Sequence, residues 1–406
     1  MGISKTFGSG LVAAFAVVSL STGAGAQALP EFVGPGDTFT VTTPILRSIH
    51  NFGGTIDIQA PGGDLTLGGG SNNGGLLINS GTLGIAAGGT LHNGDTVTSS
   101  GTIVNSGTLN NNGGATLTSS GSFTNYDSVY NYAGGTLTNS GTFTNNGIII
   151  NNTGATLINE GTLTGDSLYN NGVLTNTGTL ISTGFSSNSG TVSNSGNIDI
   201  AAGANIFGFG AASISQTAGA LTVNGQLQQA SIAIGGGTLG GSGFITADVT
   251  VNVGTVGPGN SPGLLTVFGD VALLAGSTFA AELGGLAAGT GYDRLDVFNG
   301  TATLDAGTMF DIDFFGAFTA GLGETFDVLV ADDIQSAPMS AMLFDFTGAG
   351  LGSGLAWEFG IVDFGNGRDA LRLSVVEGQV AAVPAPGAML LLGLGLFGIG
   401  CARRFA

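Results

Sequence analysis

The stretch Gly101-Thr-Ile-Val-Asn-Ser-Gly-Thr-Leu-Asn-Asn-Asn-Gly-Gly-Ala-Thr-Leu-Thr-Ser-Ser120 is followed by Gly121-Ser-Phe-Thr-Asn-Tyr-Asp-Ser-Val-Tyr-Asn-Tyr-Ala-Gly-Gly-Thr-Leu-Thr-Asn-Ser140, and the two align letter over letter. Glycines at 81, 101, 121, 141 and 161 keep the same spacing over residues 79 to 180. Apolar columns run beside them: Leu83, Ile103, Phe123, Phe143 and Leu163, then Leu117, Leu137 and Leu157. A period of about 20 residues is one coil of a stacked-strand solenoid. Each row holds three short runs of Thr with branched or aromatic residues, and these favour pleated strands. Asn, Ser and Gly between the runs supply corners, which we expect to use φ > 0. The fold class expected is therefore all-β: a three-faced parallel β-helix. A helical repeat is excluded, because two-helix repeats need about 33 residues and each interior Gly costs a helix ~0.5–1 kcal/mol.

Stacking at ~4.8 Å sets like residues over one another. Asn105, Asn125 and Asn145 form one such column, and Asn111, Asn131 and Asn151 another. Their amides can bond along the axis, so we expect structural ladders there and not ligands. A stack also repeats charge at the same interval, and residues 101 to 160 contain no Lys, Arg or His and only two acids, Asp127 and Glu160.

Charge is scarce everywhere: 8% of residues are charged, far below the usual ~25%. Hydrophobic residues make up 42%, which excludes a disordered low-complexity chain. The net charge of −19 arises mainly from missing cations, with no Lys or Arg between Arg47 and Arg294. A nucleic-acid partner would require a basic footprint and is not expected. The single cysteine, Cys401, rules out an intramolecular disulfide.

Residues 1–26 have the form of a signal peptide, with Lys5 before an apolar core at Leu11 to Leu20. Ala24-Gly-Ala26 is a small-residue site for signal peptidase, leaving Gln27 as the first mature residue. Residues 27–50 are expected to form an irregular N-terminal cap, and 51–255 the β-helix repeats. At Gly257-Pro-Gly-Asn-Ser-Pro-Gly263 the composition shifts, and longer alternating strands such as Thr308-Met-Phe-Asp-Ile-Asp-Phe314 follow. Residues 256–378 are thus an acidic all-β module, a sandwich or wider coils capping the solenoid. Some cap is needed, because an open coil end exposes strand edges. Val383-Pro384-Ala385-Pro386 then precedes an apolar run at 388–402 that ends at Arg403 and Arg404. As a helix that run is roughly 22 Å long, short of the ~30 Å hydrocarbon core.

No catalytic, cofactor or metal constellation emerges. His92 has no second His or Cys nearby. Asp311 with Asp313 reads as a solvated strand face, and Asp332 with Asp333 as a polar turn. Weak Ca²⁺ binding is their minor reading. Gly393-x-Gly-x-x-Gly398 matches a dinucleotide fingerprint by letters only, with no strand before it.

The tail at 383–406 resembles the PEP-CTERM sorting signal of Gram-negative bacteria, with Ala385 where that family usually carries Glu. The resemblance implies export, transient anchoring in the inner membrane with the arginines on the cytoplasmic side, and processing near the Pro motif by an exosortase-type enzyme. Delivery to the cell surface or an extracellular polysaccharide matrix would follow. Residues 255 to 376 look like a module of autotransporter passengers, on the strength of Pro258 to Gly263, Tyr292-Asp293, Asn299 to Leu304 and Leu355-Ala-Trp357. The expectation is a non-enzymatic, adhesin-like or structural solenoid, the alternative a polysaccharide-binding or polysaccharide-cleaving β-helix.

Overall fold

The computed structural model describes residues 32–378. The signal peptide with Ala24, Ala26 and Gln27, and the tail with its 388–402 run, lie outside the described residues. The chain is an all-β parallel solenoid of about 20 residues per coil. Each coil gives one strand to each of three parallel ladders. Thr102–Asn105, Thr108–Asn111 and Thr116–Ser119 are one coil. They pair in register with Ser122–Asn125, Ser128–Asn131 and Thr136–Asn139 of the next. We call the Thr108, Thr116 and Thr102 ladders the first, second and third faces. The third face alone is a sheet of fifteen strands, from Ile45–Leu46 to Leu343–Asp345.

Most four-residue strands point their second and fourth residues inward. The second is apolar and fills the core, and Phe123 over Phe143 has ring centroids 4.1 Å apart and planes 9° from parallel. Both rings are fully buried. Burying each contributes about 1.5–3 kcal/mol.

In many of these strands the fourth residue is a buried Asn at the corner. Asn105 Nδ2 donates to Asn125 Oδ1 at 2.7 Å and to the Ser128 carbonyl at 2.9 Å. Both of its hydrogens are thereby used, one along the axis and one across the corner. Asn125 repeats the pattern with Asn145 Oδ1 at 2.7 Å, and Asn145 ends the run on the Asp166 carbonyl. At the next corner Asn111, Asn131 and Asn151 are joined at 2.8 and 2.9 Å. That column begins at Asn51 and continues through Asn73 and Asn93, then beyond Asn151 to Asn170 and Asn188. Gly208 occupies the following rung, and the longer Gln229 reaches over it to accept from Asn188 at 2.8 Å. A third column, Asn139, Asn159, Asn176, Asn194 and Gln216, lies between the second and third faces.

The glycine column at 81, 101, 121, 141 and 161 differs from expectation in its cause. These glycines have no positive φ. A Cβ on any of them would strike the carbonyl oxygen of the glycine one coil back. Close approach of two backbones demands Gly here, whereas left-handed φ is found at wider corners such as Gly114, Gly134 and Gly154.

Two expectations about the ends change. The stretch to residue 50, expected as an irregular cap, is already stacked where described: Thr38–Val41 pairs in parallel with Thr55–Ile58, and Ile45 with Leu65. The open choice for 256–378 is settled by inward columns that do not stop. Phe279, Phe310 and Phe344 succeed one another on the third face, with Phe279–Phe310 and Phe310–Phe344 centroids at 5.7 and 5.1 Å. Wider coils carry the ladders on, and only then does the sense reverse. Arg368–Glu377 runs antiparallel to Thr325–Ala331, with Leu355–Gly365 antiparallel beyond it. Phe359 stacks on Phe344 at 3.5 Å, Trp357 on Phe346 at 5.4 Å, and Trp357 Nε1 donates to the Ala349 carbonyl at 3.0 Å. The hairpin thus covers the end of the core, and Arg372 forks onto Asp327 at 2.6 and 2.9 Å to hold it.

Ser119 occupies the rung just before the third Asn column: its Oγ and the Asn139 Oδ1 beside it are buried without a hydrogen-bond partner. A serine is too short to span ~4.8 Å. Ser119→Asn should join the column and raise stability by roughly 1 kcal/mol, while Asn125→Ala should lower it by about 2–4 kcal/mol through two orphaned buried amides. Urea or thermal melts of the two variants check both signs.

Candidate functional site

The solvent side of the first face carries a column that the inward pattern fixes by position. It is the residue immediately before each buried Asn: His50, Asn72, His92, Asn110, Tyr130, Ile150, Tyr169 and Ser187. In register this column starts at Phe32 and goes on to Phe207. The second and third faces instead present mostly Thr and Ser, as in Thr116, Thr118, Thr136 and Thr138. On the first face Phe32 and His50 stack at 5.7 Å, and Phe185 and Phe207 pack as a tilted pair at 5.5 Å, their planes 35° apart. Polar rungs bond along the axis: Asn72 Nδ2 lies 3.1 Å from His50 Nδ1, and Asn110 Nδ2 3.1 Å from His92 Nδ1.

Beyond Phe207 the aromatic column is interrupted for two coils and resumes at Phe268 over Phe298, 5.6 Å apart. The interruption is a cleft of about 250 Å³, lined by Phe207, Gln226, Gln228, Phe244, Thr246 and Phe268 over Leu227. The guanidinium of Arg368 closes the far end of the stack, 4.0 Å over the Phe298 ring.

The carboxylates sort by what holds them. Asp311 and Asp313 share the outer side of one third-face strand, with Asp345 beside Asp311 and Glu282 beside Asp313 in register. Burial first, then the charges of Asp313 and Asp345, hold the Asp311 carboxyl above its usual range. Asp332 and Asp333 diverge: Asp332 accepts from the Asn299 amide at 2.9 Å and Arg368 Nε at 3.2 Å, Asp333 from Gln335 Nε2 at 2.9 Å. Among the described residues, no three His, Cys, Asp or Glu side chains converge to hold a metal ion. No helix there is long and apolar enough to cross a membrane.

Asp293 is the group most altered by its surroundings. It is 4% exposed, and its two oxygens accept the Gly263 amide at 2.6 Å and the Glu282 amide at 2.9 Å. It thereby ties the Pro258–Gly263 turn to the coil that follows. Burial pushes its carboxyl up to about 6, against the pull of the two amides.

The residues expected as ladders lie together in two columns, and the structure adds a third column with Asn139, Asn159, Asn176 and Asn194. The outward aromatic column was not found from sequence, although from His50 to Ser187 its signal is simple: it stands one place before each buried Asn of the first-face column.

Comparison with known proteins finds two local matches. Residues 52–125 match the haemagglutinin repeat, and residues 382–404 match the PEP-CTERM protein-sorting motif. No curated protein matches the chain. The motif implies processing by an exosortase-type enzyme. The two matches and the solenoid suggest an exported or cell-surface, adhesin-like protein, and they fit a non-enzymatic one.

Asp293 binds its proton more tightly folded than unfolded. The stability it contributes is therefore full below pH ~4 and lost as pH rises through about 6. The stability of the native chain relative to Asp293→Asn should fall by up to roughly 3 kcal/mol between those limits. Thermal melts of both chains from pH 3.5 to 7.5 measure this difference, and a pH-independent gap would contradict it.

Proposed function

We propose that the chain is a non-enzymatic solenoid, exported to the cell surface or an extracellular polysaccharide matrix, where it acts as an adhesin-like spacer. Continuity carries this reading. The coils are filled from Val33 to the hairpin by apolar stacking and amide ladders. The last strand ends at Glu377, five residues before the sorting motif begins at 382. In this arrangement the hairpin sits at the attachment end and the repeats project from it.

The segments take their roles accordingly. Signal peptidase removes 1–26 between Ala26 and Gln27, and residues 27–50 begin the body. Residues 51–255 supply the spacer and 256–378 its acidic, capped base. The 388–402 run holds the chain transiently in the inner membrane, with Arg403 and Arg404 on the cytoplasmic side. An exosortase-type enzyme then cuts near Pro384-Ala385-Pro386, preceded by Val383. The Asn columns serve stability, and polysaccharide contact without cleavage is compatible with the role.

Cell fractionation with sequencing of both ends of the mature protein should give Gln27 at one end and a terminus near residue 384 at the other. Replacing Pro384 and Pro386 together by Ala should leave the chain in the inner membrane. Unchanged release of that variant, or turnover of an acidic polysaccharide by the purified chain, would overturn the proposal.

A further inference from the structure

We propose that the cleft between Phe207 and Phe268 on the first face binds a neutral polysaccharide chain, lying along the solenoid axis. This deepens the adhesin-like reading and rests on it for access to such a partner. The geometry is that of a stack with missing rungs. Phe185 covers one side of Phe207, and Phe298 covers one side of Phe268. The Phe207 and Phe268 rings line the same cleft, on either side of the coils of Gln228 and Thr246. Three coil steps separate Phe207 from Phe268, so the gap between the rings is roughly 14 Å long.

The chemistry of the lining selects the occupant. Pyranose rings have apolar C–H faces that stack on aromatic rings and hydroxyl rims that need hydrogen-bond partners. The trough offers both. Phe207, Phe244 and Phe268 are the apolar surfaces, and the exposed Gln226, Gln228 and Thr246 are donors and acceptors at the same level. The two Gln side-chain amides make no hydrogen bond to other described residues. Ligand sites of this kind, mostly apolar with a few placed polar groups, are the usual concave binding surfaces.

Charge decides between polymer classes. No ionisable residue lines the cleft. The chain carries net −19 and has no Lys or Arg from 48 to 293. An acidic polysaccharide would meet repulsion without a compensating cation, and a basic partner would find no carboxylate in the trough. A neutral chain is opposed by neither. The regular axial repeat also suits a polymer better than a compact ligand, because the same face continues to Phe185 and Tyr169 on one side and Phe298 on the other.

The test is affinity electrophoresis of the purified chain in native gels containing hydroxyethylcellulose, dextran, galactomannan or, as the acidic polymer, alginate. At least one neutral polymer should retard the chain, and alginate should not. Phe207→Ala with Phe268→Ala should weaken that retardation roughly tenfold, since two stacking surfaces are lost. Phe315→Ala, an exposed aromatic outside the cleft, should leave it unchanged. Thermal melts keep loss of binding apart from loss of fold, and Gln228→Ala is a milder second variant that removes a polar anchor alone. No retardation by any neutral polymer, retardation indifferent to the Phe207 and Phe268 changes, or preference for alginate would overturn the site. Dimers at raised concentration that disappear in the Phe268 variant, without polymer binding, would assign the cleft to a second copy instead. None of these readouts depends on export, so failure here leaves the fractionation result standing, and the reverse.

Discussion

Each strand in this protein sits over a near copy of itself at ~4.8 Å, and that single contact governs what the chain can contain. A side chain is tolerated only if it can lie against its own kind. Leu, Ile and Phe do so by dispersion, Asn by an amide bond to the next amide, Gly by leaving room for a carbonyl, Thr by its compact branched form. Like charges do so only at a cost, and the carboxylates set side by side, Asp311 with Asp345 and Glu282 with Asp313, lie in the wider last coils. The 8% charge content, the 77 glycines and the Asn columns are therefore three results of one distance.

The buried amides show how strictly the rule is kept. A buried Asn has four hydrogen-bonding positions, and leaving them unmet would cost about 1–3 kcal/mol per group. In the column from Asn51 to Asn188 each Nδ2 donates upward to the next Oδ1, so the dipoles point one way along the axis. Head-to-tail amides polarise one another and strengthen the chain of bonds. The arrangement has a polarity and must end somewhere, and it ends where residues change. Gln229 finishes one column and Gln216 another. Past Gln216 that corner is filled by Ile234, Val251 and Leu273.

Much of this is legible in the sequence, for a physical reason. Residues that meet only their copies leave a period, and the period at Gly81 to Gly161 yields strands, faces and core together. The columns lost from view are those where the coil length shifts: Asn159, Asn176 and Asn194 fall 17 and 18 apart, yet occupy the same corner. Where the spacing shortens, the core leaves a small cavity of about 40 Å³ bordered by Leu163, Leu168, Leu174 and Leu180. The cause of the glycine column was misread because a sequence records the residue and not which constraint selects it. The closing hairpin was hidden among alternating strands, since alternation carries no direction. Its one local sign is Asn366-Gly367, both at positive φ, the pair that tight hairpin turns favour.

The outward columns follow a different logic from the inward ones. An inward residue answers to the stack, and its freedom is small. An outward residue needs only to be compatible with its neighbours, so Thr on two faces is the undemanding solution. The first face departs from it, with Phe32, Tyr130, Tyr169, Phe207, Phe268 and both histidines of the chain in one file. Stability does not require aromatic rings there, because the Thr faces stack without them. Among the described residues, the three arginines past residue 293 are engaged as well, on Asp296, Asp332 and Asp327. They secure the last coils and the hairpin, leaving the long neutral face as the part of the surface that differs most from what stacking alone demands. A repeat that minimises charge has given up electrostatic steering and strong ionic contacts. What it retains for recognition is shape, aromatic surface and neutral hydrogen bonding, repeated at a fixed interval, and this is the chemistry that the proposed neutral polymer would use.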